Sequence, residues 1–113
     1  MSEQVLVGLL TTPDRASAEK IVDHLVEEGL IACGNMLGAV GSVYRWQGAV
    51  ARADEILVIL KTTEARVASV VARIRELHTY DVPEILFLPV SAGYEAYIQW
   101  VRDSVKLPQD TEV

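Results

Sequence analysis

The run Ile56-Leu57-Val58-Ile59-Leu60 is apolar at five consecutive positions. A strand sends alternate side chains to opposite faces, so such a run needs cover on both. Val5-Leu6-Val7-Gly8-Leu9-Leu10 and the stretch from Ile85 to Val90 have the same nearly unbroken character. A sheet wet on one side would show strict alternation instead. Only Ser42-Val43-Tyr44-Arg45-Trp46 alternates, as a half-buried strand should, and Gln47-Gly48 after it reads as a hairpin turn. Gly34, Gly38 and Gly41 interrupt the segment before it, and three glycines inside a strand predict bulges or a sharp bend.

Helical periods separate these runs. After Thr12-Pro13-Asp14, residues Ala18, Ile21, Val22, Leu25 and Val26 recur at helical spacing up to Gly29. Thr12 is the expected cap, and the spacing predicts a helix over 13–29. Thr62-Thr63-Glu64 opens a second helix carrying Val67, Val70, Val71, Ile74 and Leu77. A third follows Gly93, with Tyr94, Tyr97, Ile98, Val101 and Val105 on one face. The order is β-α-β-β-α-β-α, an α/β (α+β) chain. Two βαβ units joined by a hairpin predict a ferredoxin-like sandwich with an extra C-terminal helix. Helices on one face leave the other face apolar, so a homo-oligomer is expected. Residues 1–107 read as one domain and 108–113 as a polar, disordered tail.

Charge and cysteine usage narrow the function. Over 113 residues the formal charge is −6, and the ten basic residues form no cluster. A nucleic-acid partner needs a basic stripe, so that class is set aside. Cys33 is the single cysteine, which excludes an intrachain disulfide and suits a reducing compartment. Met1-Ser2-Glu3-Gln4 has no basic, apolar leader, and no apolar run approaches the ~20 residues of a membrane span. A cytoplasmic protein without membrane insertion is expected.

Several side chains carry candidate chemistry. Cys33 sits in an apolar stretch and reads as a small buried hydrophobe. His78 ends the second helix, where a cation suits the dipole, and Tyr80, Asp81 and Glu84 follow closely. Trp46, Lys61, His78, Tyr80 and Glu84 lie near strand or helix ends and are candidates for lining one cleft. Solvated element ends are the plain alternative. The sequence has no H-x-x-x-H, C-x-x-C, G-x-G-x-x-G, Walker or G-x-S-x-G pattern. An acid–base pair of His78 and Glu84 lacks a nucleophile with its base, so no enzyme is expected.

These stretches together resemble a known family. Tyr44-Arg45-Trp46-Gln47-Gly48, Glu55, Lys61-Thr62-Thr63 and His78-Thr79-Tyr80-Asp81-Val82-Pro83-Glu84 stand in the order and spacing of the CutA divalent-cation-tolerance family. Thr12-Pro13-Asp14, Leu30-Ile31-Ala32-Cys33, Leu88-Pro89-Val90, Tyr97 and Trp100 fit as well, so the resemblance runs from about residue 5 to 102. It implies a homotrimer, similar in architecture to the PII signalling proteins, linked to tolerance of copper and other divalent ions. It also implies an intersubunit cleft formed by Tyr44, Trp46, Glu55, Lys61, His78, Tyr80 and Glu84, within which His78 and Glu84, close in sequence, are the expected metal ligands. No tightly bound organic cofactor is implied. Some members have a cysteine at the end of the first strand and two adjacent histidines ending the second helix. Here those positions hold Leu10 and Leu77-His78, so one of three copper ligands is present. The usual His-Pro-Tyr is His78-Thr79-Tyr80. The alternative is a PII-like small-molecule-binding or scaffold trimer that binds no specific metal.

Overall fold

The computed structural model describes residues 3–105. The 108–113 tail therefore lies outside the described residues. Four strands, β1 (Val5–Thr12), β2 (Cys33–Trp46), β3 (Ala49–Thr63) and β4 (Ile85–Pro89), form one antiparallel sheet in the order β2-β3-β1-β4. Helix α1 (Arg15–Glu27) links β1 to β2, and α2 (Val67–Leu77) links β3 to β4 through a short 3-10 turn. Helix α3 (Glu95–Ser104) is the last element among the described residues. β1 and β2 run parallel with β3 between them, and β3 and β4 run parallel with β1 between them. The two β-α-β units are thus interleaved.

The helix signals hold with local corrections. Asp14, not Thr12, caps α1: its Oδ1 accepts from the Ser17 amide at 2.7 Å. Thr12 belongs to β1, and its hydroxyl instead donates to the Asp14 carbonyl at 2.9 Å. That bonded amide holds the Asp14 carboxyl below the usual aspartate range. Gly29 ends α1 at φ 72°, its amide and that of Leu30 reaching back to Val26 and Leu25. This pairing needs a left-handed residue, which glycine adopts without a Cβ clash. Thr62 and Thr63 finish β3 rather than start α2. The Thr62 hydroxyl donates to the Leu30 carbonyl at 2.7 Å, tying it to the segment after α1.

The core lies between one sheet face and the pair α1 and α2. Leu10, Val58 and Leu60 of the sheet meet Ile21, Leu25, Val70 and Ile74 of the helices, all fully buried. Gly34 in β2 faces α1, where a Cβ would come within 2.8 Å of Val22. Its neighbour Cys33 therefore faces the other way, and Tyr97 of α3 reaches it there. So α3 crosses to the second face and covers the end near Val5, where Val101 is buried. The rest of that face stays open. Leu86 and Leu88 of β4 are 56% and 52% exposed, and Leu9, Leu57 and Ile59 are half-buried.

The β2–β3 hairpin is much longer than its alternating segment predicts. At about 3.3 Å per residue, the 15 residues of β3 span roughly 50 Å. The molecule is 51 Å along its longest axis, so the hairpin sets its length. Gln47 and Gly48, at φ 51° and 81°, make the tight turn between the Trp46↔Ala49 pair. The outer part of this arm pairs with neither β1 nor β4.

Candidate functional site

The register of β2 slips once, between Leu37 and Ala39, where Gly38 forms a bulge. A one-residue slip reverses which face each side chain takes. Before the bulge, Cys33, Asn35 and Leu37 share a face with Lys61, Ile59 and Leu57. After it, Val40 pairs with Glu55, so Ser42, Tyr44 and Trp46 come onto that same open face. The glycine-rich stretch is what aims the two aromatics.

A cleft of about 740 Å³ forms where β1 ends beside the base of the arm. Thr11 closes it from β1, Tyr44, Arg45 and Trp46 from β2, and Glu55 from β3. The fourth side is the loop that follows α2, with Tyr80, Asp81 and Glu84. Glu55 is only 8% exposed, and the Tyr80 hydroxyl donates to its Oε2 at 2.9 Å. Burial, and then the Glu55 carboxylate, push the Tyr80 hydroxyl up to about 12. Tyr80 therefore stays a protonated donor at physiological pH.

His78 fastens this loop. Its Nε2 lies 2.8 Å from the Thr11 carbonyl, and the Tyr80 amide points at its Nδ1 from 3.1 Å. A carbonyl only accepts and an amide only donates, so Nε2 carries the proton and Nδ1 accepts. The His78 and Tyr80 rings sit 4.7 Å apart in a tilted contact. His78 is a strut between the end of β1 and the cleft's tyrosine, outside the cleft lining.

Lys61 is not in this cleft. It stands six residues from Glu55 along β3, a separation of about 20 Å at strand rise. There its Nζ donates to the Asn35 side chain and lies 3.8 Å from the Cys33 sulfur. Cys33 is half-exposed among these polar groups rather than buried as a hydrophobe. Burial, with Cys33 beside it, raises the Tyr97 hydroxyl as well. Of the residues expected together, the structure joins Tyr44, Trp46, Glu55, Tyr80 and Glu84 and separates Lys61. It adds Thr11, Arg45 and Asp81, the last contiguous with the Thr79-Tyr80 pair and legible there. Among the described residues no three His, Cys, Asp or Glu side chains converge as a ready metal site.

A sequence model of the family described as CutA1 divalent ion tolerance protein matches residues 6–104. The chain belongs to the CutA1 family. It is 41% identical over 98 residues to the divalent-cation tolerance protein CutA of Thermus thermophilus, covering 87% of this chain and 95% of that one. It is 34% identical to the chloroplastic CutA of Arabidopsis thaliana over 89% of its own length. That match spans only 56% of the plant protein. The crystal structure of CutA1 from Oryza sativa superimposes with a TM-score of 0.90 at 30% identity, over 93% of this chain and 96% of that one. The Thermus thermophilus divalent cation tolerance protein gives 0.89 at 39%, over 90% and 99%. Like those structures, this CutA1 chain is a mixed α/β fold with an antiparallel four-stranded sheet and three helices.

Proposed function

We propose that this CutA1 chain is a homotrimeric, cytoplasmic divalent-cation-tolerance protein that binds rather than catalyses, on a ferredoxin-like subunit. The observation that carries this reading is an apolar sheet face left open beside an acidic cleft. Exposed Leu37, Leu86 and Leu88 favour burial against further copies. The edge strand β2 runs along that face and offers unpaired backbone groups for the same contact. The cation reading rests on the names of the relatives and on the carboxylates of Glu55, Asp81 and Glu84. Carboxylate oxygens suit divalent ions, and with too few converging in one chain, a neighbouring subunit would complete the set. Glu84, exposed at the rim, is the first ligand under this reading. His78 joins only if the Tyr80 amide gives up Nδ1. Among the described residues no helix is long and apolar enough to cross a membrane. Some relatives are named chloroplastic or periplasmic, and the cytoplasmic assignment here rests on the single cysteine and reducing environment.

Copper and zinc isotherms on wild type, Glu84→Gln and His78→Ala test the site. The reading expects saturable uptake that Glu84→Gln weakens. Equal curves for wild type and Glu84→Gln would remove Glu84 from the site, and equal curves for His78→Ala would confine His78 to its strut role. A second reading, a PII-like trimer that binds a small organic molecule, is favoured by the three aromatic rings in the cleft.

A further inference from the structure

The cleft combines two kinds of wall that a bare metal ion does not use together. Tyr44, Trp46 and Tyr80 present aromatic surface, while Glu55, Asp81 and Glu84 present carboxylates against the single guanidinium of Arg45. Aromatic faces attract cations through the ring quadrupole, tryptophan most strongly. A strongly hydrated divalent ion gains little from such faces and needs converging oxygens, of which one chain supplies too few. A guanidinium fits both walls at once. Its plane stacks on an aromatic ring, its fork of N–H donors meets carboxylate oxygens in pairs, and its weak hydration makes desolvation cheap. Glu55 is nine-tenths buried yet lines the cleft, and Tyr80 holds one of its oxygens in place. That fixed anion is a preorganised counter-charge. Trp46 lines the cleft and is 57% exposed in the single chain, so its ring has surface left for a planar group. The volume, about 740 Å³, lies within the range of small-molecule sites.

We propose that this cleft binds a small organic cation of the guanidinium class, stacked on Trp46 and paired with the Glu55–Glu84 side. The inference rests on the small-molecule reading and supplies its ligand class. It shares Glu55 and Glu84 with the divalent-ion reading, so the titrations are run free of metal.

The test is isothermal titration of the untagged protein in chelator-treated buffer with three probes of one size: butylguanidinium, butylurea and butyl phosphate. Butylguanidinium is expected to bind saturably and its neutral isostere, butylurea, to give no saturable heat. Trp46→Ala and Glu84→Gln, both at exposed positions, are each expected to weaken butylguanidinium about tenfold while the circular dichroism of the fold is kept. Equal binding of butylurea, or binding that neither variant changes, would overturn the proposal. Binding of butyl phosphate alone, lost in Trp46→Ala, would overturn the cation class and leave the small-molecule reading standing. Silence from all three would overturn the proposal, and the copper isotherms judge the cation reading separately.

Discussion

Tyr80 is the residue whose chemistry the fold changes most. Its hydroxyl faces a carboxylate in a partly desolvated cleft, so ionising it would place two negative charges side by side. Three other tyrosines, Tyr44, Tyr94 and Tyr97, share the chain. A spectrophotometric titration of phenolate should show one group ionising near pH 12. Glu55→Gln should lower that value while leaving it above the ordinary 10, because burial is the larger cause. The sign for stability follows from the raised value. The folded protein keeps a proton that the unfolded chain loses near pH 10, so this stabilisation is present below pH 10 and fades as pH climbs toward 12. Residue types pointed to Tyr80 and the family resemblance added Glu55, as separate cleft candidates. The sequence did not show their bond, which spans 25 positions and depends on how the loop after α2 folds back on β3. Nor did it show that both nitrogens of His78 are taken by backbone groups, since neither partner is signalled by residue type. Lys61 stands apart from the cleft of its own chain for a related reason: sequence marks a strand's end without saying which cleft that end serves.

Among the elements, α1 was the most legible and the arm the least. The i, i+3, i+4 spacing of Ala18, Ile21, Val22 and Leu25 states its buried face directly, and Gly29 states its end. Only residues 42–46 of the arm show strict alternation, because Gly34, Gly38 and Gly41 break the β pattern and mark bulges or a bend. The backbone nevertheless runs through them as one 14-residue strand with a single bulge. Gly34 shows why the pattern is broken there: β2 approaches α1 so closely that any Cβ meets Val22. Gly34→Ala should destabilise the fold by about 1–3 kcal/mol through overpacking. Adding Val22→Ala to it should recover part of that loss, because the second change removes the methyl groups the new Cβ strikes. Denaturant midpoints of both single variants and the double variant measure the coupling. Strict additivity would mean that the strand and the helix relax independently.

For the whole molecule, the decisive feature is the sheet with one face closed by α1 and α2 and the other closed only at its end by α3. The uninterrupted run Ile56–Leu60 announced it, since the alternate residues Leu57 and Ile59 need cover on a face that, among the described residues, α3 closes only at its end. The order of elements along the chain was legible from the alternation of periods, whereas the number of copies that close the open face is not written in one chain's pattern. The proposed cation site depends on that number, because the carboxylates converging among the described residues of one chain are too few to hold an ion and a neighbour would supply the rest. Native mass spectrometry of the untagged protein, before and after copper, tests it most directly. The account expects an assembly with the mass of three 12.4 kDa chains that takes up copper in multiples of three. A species of 12.4 kDa that persists at micromolar concentration would contradict both the assembly and the shared site.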